Sequence, residues 1–153
     1  MKRILLIGYG NPGRLDDGLG PALAEIFQQA EPAPKKFRAL EDLTVESNYQ
    51  LNVEDAAQIA EHDVVIFADA STDADPPFTF ALVEAEKGGP SFSSHSVSVP
   101  QLLGMTDELF GKQPEAWMLA IRGYEFNEFG ERLSELAAGN LEKAVVFLKE
   151  WLC

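Results

Sequence analysis

Residues 4–20 read ILLIGYGNPGRLDDGLG, and no other stretch restricts the architecture of this chain as tightly. An apolar, β-branched run stops at Gly8 and passes through glycines, Asn11 and Pro12 to two adjacent carboxylates, Asp16 and Asp17. An amphipathic helical pattern follows at once. A strand that turns sharply and delivers acids to the start of a helix predicts an open α/β sheet with a site at its carboxyl edge. The chemistry offered there is carboxylate oxygen.

Beyond this opening, strand and helix patterns alternate without linker or repeat. Residues 3–8 are apolar on both faces, as in a fully buried strand. Leu19, Leu23, Ile26 and Phe27 form the stripe of a first helix over residues 18–29, ended by Pro32 and Pro34. A second strand is expected within residues 36–45. Asn52 is placed to cap a second helix whose inner face would carry Val53, Ala56, Ala57 and Ala60.

Residues 63–69, DVVIFAD, make the strongest strand and close on Asp69. Residues 78–84 alternate Phe78, Phe80 and Leu82 against Thr79, Ala81 and Val83. The intervening polar stretch is too short for a crossover helix, so this strand should run antiparallel to its predecessor. Ser98, Pro100 and Gln101 announce a capping box, followed by Leu102, Leu103, Met105, Leu109 and Phe110 on a third helix. Residues 116–122 form a further strand. Leu136, Ala137, Leu141, Ala144, Val145 and Leu148 line the inside of a closing helix. The expected architecture is a three-layer α/β/α sandwich in one domain spanning residues 1–153. Its twisted sheet has about five strands, mostly parallel with one antiparallel.

Charge narrows the partners. A formal net charge of −13 argues against nucleic acid or an anionic membrane, because phosphate binding needs clustered Lys and Arg. It also disfavours a tight interface between copies, so a monomer is expected. The single cysteine, Cys153, is the last residue, which excludes an internal disulfide and a thiolate-rich metal cage. With no signal-like start and no apolar run long enough to span a membrane, the expected location is cytoplasmic.

Three readings compete for the first loop. Residues 8–13 match G-x-G-x-x-G, the dinucleotide fingerprint. The helix does not open on the third glycine, however, and Asp16 and Asp17 place negative charge where a pyrophosphate needs bare amides. A structural reading makes one of these aspartates the cap of the first helix, which accounts for one acid but not the second. The third reading is a ligand or metal site, which needs partners from elsewhere.

Asp69 is such a partner, since parallel topology opens its strand onto the same edge. Alone, it would read as a turn residue before Ser71 and Thr72. His95, in the polar loop that enters the third helix, is the other. The second histidine, His62, ends the second helix, where the helix dipole explains it. Asp17, Asp69 and His95 together make an open oxygen and nitrogen set suited to a borderline cation such as nickel or zinc, with free positions for reaction. A serine triad from Ser94 or Ser96 with His95 and Asp69 ranks lower, because no G-x-S-x-G elbow is present.

The G-x-G-N…D-D-G-x-G opening, the V-V-I-F-A-D-A strand and the S-S-H loop resemble the hydrogenase maturation endopeptidases, over nearly the whole chain including residues 123–136. The resemblance implies a phosphorylase/hydrolase-like fold. It also implies an activity: removal of a short C-terminal extension from the large-subunit precursor of NiFe hydrogenases once nickel is inserted. Nickel would be supplied by that substrate, with Asp17, Asp69 and His95 as the metal-binding and catalytic residues. A late G-E-G-L-S pattern departs here to Gly130-Glu131-Arg132-Leu133-Ser134, followed by Glu135 where proline is usual. Two alternatives stand beside this. One is a non-catalytic chaperone for the metal or the precursor. The other is a hydrolase like the peptidyl-tRNA hydrolases, which the G-N-P-G run resembles, although acids stand here where those enzymes need a histidine.

Overall fold

The computed structural model describes residues 2–29, 42–86 and 97–152. Strand β1 (Ile4–Tyr9) is buried along nearly its whole length, as its unbroken apolar run requires. A 3-10 turn (Leu15–Gly18) then leads into α1 (Leu19–Gln28). Strand β2 (Leu43–Asn48), α2 (Asp55–Ala60), β3 (Val64–Ser71) and β4 (Phe78–Leu82) follow. Helix α3 (Val99–Phe110), β5 (Glu115–Arg122) and α4 (Glu135–Trp151) complete the order.

The five strands form one sheet in the order β2-β1-β3-β5-β4. All neighbours pair in parallel except β4 with β5. Strand β4 does run against β3, as its short link demands, but β5 lies between them. Helices α1 and α4 cover one face over Leu6, Leu23, Ile66, Leu119 and Leu148. Helices α2 and α3 cover the other over Leu5, Ile7, Val65, Phe67 and Leu102. The α/β/α sandwich with a single antiparallel strand is therefore the observed fold.

Several expectations shift in detail. Strand β2 starts inside the expected window at Leu43 but runs beyond it to Asn48, and residues 36–41 lie outside those described. Asn52 does not cap α2: its backbone N–H donates instead to Asp55 Oδ2 at 2.8 Å. The buried side of α2 is Ala56 and Ile59, whereas Val53 precedes the helix and is exposed. Ile26, Leu109, Phe110 and Leu136 also face outward. Each sits at a helix end or flank, where periodicity names a stripe but the neighbouring layer does not reach it. The capping box of α3 forms as the spacing predicts, with Gln101 N on Ser98 Oγ and Ser98 N on Gln101 Oε1.

The sheet order places a switch point between β1 and β3. The chain leaves β1 toward β2 on one side, then returns to form β3 on the other. Ligands of open α/β sheets bind at the carboxyl ends of strands flanking such a point. Two glycines let the layers close there. A Cβ on Gly20 would collide with the carbonyl oxygens of Tyr9 and Ala68, and one on Gly8 with the carbonyl oxygen of Gly20. Helix α1 thus enters hard against the ends of β1 and β3.

Candidate active site

The first loop satisfies its own backbone. Gly10 N donates to Asn48 O, Asn11 N to Asp17 Oδ2 and Gly13 N to Asn11 Oδ1. Arg14 N donates to Asn11 O, Leu15 N to Gly130 O, Asp16 N to Glu125 O and Asp17 N to Arg14 O. Every amide from residue 10 to 17 other than proline therefore already has an acceptor. A pyrophosphate would find no bare N–H groups here, which removes the dinucleotide reading on physical grounds.

Asp16 and Asp17 divide the work. Neither caps α1, whose N-cap position is Gly18 with no side-chain bond. Asp16 is fully buried and accepts four hydrogen bonds from the segment between β5 and α4. Tyr124 N (2.7 Å) and Glu125 N (2.9 Å) donate to Oδ2. Ser134 N donates to Oδ1 and Ser134 Oγ to Oδ2, each at 2.7 Å. Burial pushes this carboxyl up, but the donors from Ser134, Tyr124 and Glu125 hold it below the usual carboxylate range. Asp16 is a satisfied structural anion.

Asp17 is partly exposed, with Oδ2 accepting from Asn11 N at 2.9 Å. Across the switch point stands Asp69. Gly8 pairs with Ala68, which brings Tyr9 alongside Asp69 on the face covered by α2 and α3. Strand β3 continues to Ser71, so Asp69 is held within the sheet rather than at a turn. Its Oδ1 accepts from Ala70 N at 2.8 Å, and the Tyr9 hydroxyl donates to the same carboxylate. Those two bonds do not offset burial and the like charge of Asp17, and the carboxyl is pushed up to about 7. Burial, then the charge of Asp69 and the bond to it, keep the Tyr9 hydroxyl protonated well beyond its usual range.

Asp17 lies near enough to Asp69 for its charge to push that carboxyl up. His95 lies outside the described residues. Among the described residues no group of three His, Cys, Asp or Glu side chains could hold a metal ion. What the two aspartates supply is a pair of hard oxygen donors with an electrostatic deficit, which a cation would relieve. His62, as expected, serves its helix end, with Nδ1 2.7 Å from Gln58 O.

Tyr9 and the partners of Asp16 between β5 and α4 are not evident from spacing. Tyr9 carried one signal, a phenol ending a buried strand, whose hydroxyl needs a partner there. A cavity of about 550 Å³ lies beside the same loop, lined by Pro12, Gly18, Glu25, Ser47, Arg132 and Leu133. Neither Asp17 nor Asp69 lines it.

No protein-family description matches the chain, and no curated protein matches it. Solved structures do. A NiFe hydrogenase maturation protease of Thermococcus kodakarensis superposes with a TM-score of 0.71 at 21% identity, covering 99% of this chain and 92% of its own. The hydrogenase maturating endopeptidase of E. coli gives 0.71 at 19% identity, over 95% of this chain and 89% of its own. A hydrogenase 2 maturation peptidase of a Thaumarchaeota archaeon gives 0.67 at 19%, over 99% and 98%. The chain has the fold of these peptidases from end to end.

Proposed function

We propose that this protein is an endopeptidase that removes the C-terminal extension of a NiFe hydrogenase large-subunit precursor, recognising it through its inserted nickel. One observation carries the reading: Asp17 and Asp69 meet at the switch point of a sheet whose fold is shared with maturation peptidases over nearly its whole length. Sequence resemblance in the first loop, the third strand and the S-S-H segment supports it independently.

In this reading nickel arrives as cargo of the precursor, and Asp17, Asp69 and His95 complete its coordination. Held by those residues, the ion would place the scissile bond in the cleft and would supply polarisation of its carbonyl or a lowered pKa for a bound water. Alternatively, one of the two carboxylates would take the proton from the attacking water as the carbonyl carbon is hydrated, and return it to the leaving amine when the C–N bond breaks. The Tyr9 hydroxyl donates to Asp69 and holds that carboxylate in place.

The test is incubation with nickel-loaded precursor, followed by mass measurement of its C-terminus. The expected result is loss of the extension by wild-type protein and none by Asp69→Asn, with nickel-free precursor left intact. Stable binding without any mass change would replace the peptidase with a maturation chaperone. Cleavage by Asp69→Asn at the wild-type rate would remove Asp69 from the chemistry.

A further inference from the structure

The residues between β5 and α4 form a strap that lies across the first loop, and its attachment is unusually concentrated. Four of its bonds end on one carboxylate, that of Asp16. The backbone adds Asp16 N to Glu125 O, Leu15 N to Gly130 O and Gly130 N to Gly13 O. At the strap's start, Gly123 N donates to Ser71 O, two residues beyond Asp69 on β3. A continuous path therefore runs from Asp17 through its neighbour Asp16 to Tyr124 and Gly123, then to Ser71 and back along β3 to Asp69.

We infer that Asp16 is the positioning residue of this site: by clamping the strap to the first loop it fixes where Asp17 stands relative to Asp69. The inference rests on the reading of Asp17 and Asp69 given above. The turn carrying Asp17 cannot hold itself. It is a single 3-10 turn without a side-chain cap, and such short elements owe their shape to tertiary contacts. It also contains Leu15 at φ 51°, a left-handed conformation that a leucine adopts only when its surroundings impose it. Those surroundings are the strap. Gly123 lets it approach: a Cβ there would lie 2.9 Å from Asp16 Cβ and 2.8 Å from Phe126 Cζ.

A competing role is plain support of α4, because Ser134 is also that helix's cap, accepting from Ala137 N at 3.3 Å. The two roles separate experimentally. Asp16→Asn keeps the size of the side chain but turns an amide toward N–H donors. Nickel(II) chloride alone is titrated calorimetrically into wild type and variant, well below their unfolding midpoints, alongside amide hydrogen exchange over residues 10–18. The expected result is nickel affinity weakened about 10- to 100-fold, as for residues that orient metal ligands. Exchange in the loop should quicken, and kcat for the precursor should fall more than KM rises.

Wild-type affinity and wild-type loop exchange in a folded Asp16→Asn protein would overturn the clamp. Should that variant not fold, Ser134→Ala carries the same measurements, and Ser134→Thr, which restores the hydroxyl, should return them toward wild type. Should wild type neither bind nickel alone nor cleave precursor, the functional reading fails, and the loop exchange still decides for or against the clamp.

Discussion

Two carboxylates within the same sheet edge, Asp16 and Asp69, live in opposite surroundings. Asp16 has no exposed surface, yet it meets three backbone N–H groups and a hydroxyl and is held below its usual range. Asp69 has one N–H, one phenol and a like charge nearby, and burial pushes it up to about 7. Burial raises both carboxyls, and the supply of donors decides which of them stays raised. A carboxylate whose two oxygens accept four hydrogen bonds is architecture. One left short of donors beside another acid is poised to take up a cation or a proton.

The largest test of this contrast is functional. Asp69→Asn should lower precursor cleavage by about 1,000-fold or more, while Ser134→Ala retains measurable turnover; product formation followed by mass spectrometry compares them. Next in size is stability. Asp16→Asn should cost about 2–3 kcal/mol, because buried donors lose a charged acceptor, read as a lower urea midpoint with unchanged slope. Asp69→Asn should cost none, and at pH 8 its midpoint should lie above that of wild type.

A smaller effect is expected at Tyr9. Tyr9→Phe removes a donor that pulls Asp69 downward, so the acid limb of the kcat/KM profile should move to higher pH. A limb that stays in place would show that Tyr9 does not reach the functional ionisation.

The smallest signal is the pH dependence of metal-free stability, where the two acids should have opposite signs. Asp69 is raised from about 3.9 in the unfolded chain, so the folded state binds the extra proton. Stability attributable to it is present at low pH and declines from about pH 4 to pH 7. Asp16 is lowered, so its contribution is present above about pH 3.9 and is lost as pH falls further through its folded value. Asp69→Asn should flatten the first slope and Asp16→Asn the second, in urea midpoints measured at intervals of pH.

Periodicity succeeded where an element crosses the molecule's interior. The continuous apolar runs of β1 and β3 and the Ser98 box of α3 took the form their residues predict, whereas the edge strand β4 alternates only from Phe78 to Ala81 before Leu82 faces outward. It failed at flanks. Leu136 and Ile26 fit an inner stripe by spacing, but the stripe's edge is drawn by how far the neighbouring layer extends. Asn52 shows the same limit in a polar residue: its type permits a cap, while the local turn gives the acceptor role to Asp55.

The candidate site was half legible. Asp17 and Asp69 stand out because topology carries the ends of parallel strands to one edge, and strand type can be read locally. The division between Asp16 and Asp17 could not be read, since adjacent identical residues differ only in what they face. Asp16 finds its partners more than a hundred positions away, at Tyr124, Glu125 and Ser134.

By itself the sequence determined which segments are strands and helices, that the sheet is largely parallel, and that acids crowd its carboxyl edge. Those properties follow from side-chain pattern and connection length, which are local. Only the tertiary structure decided which acid is satisfied and which is left wanting. That depends on the direction of backbone N–H groups contributed by distant segments, and no residue's identity encodes where another segment's amides will point.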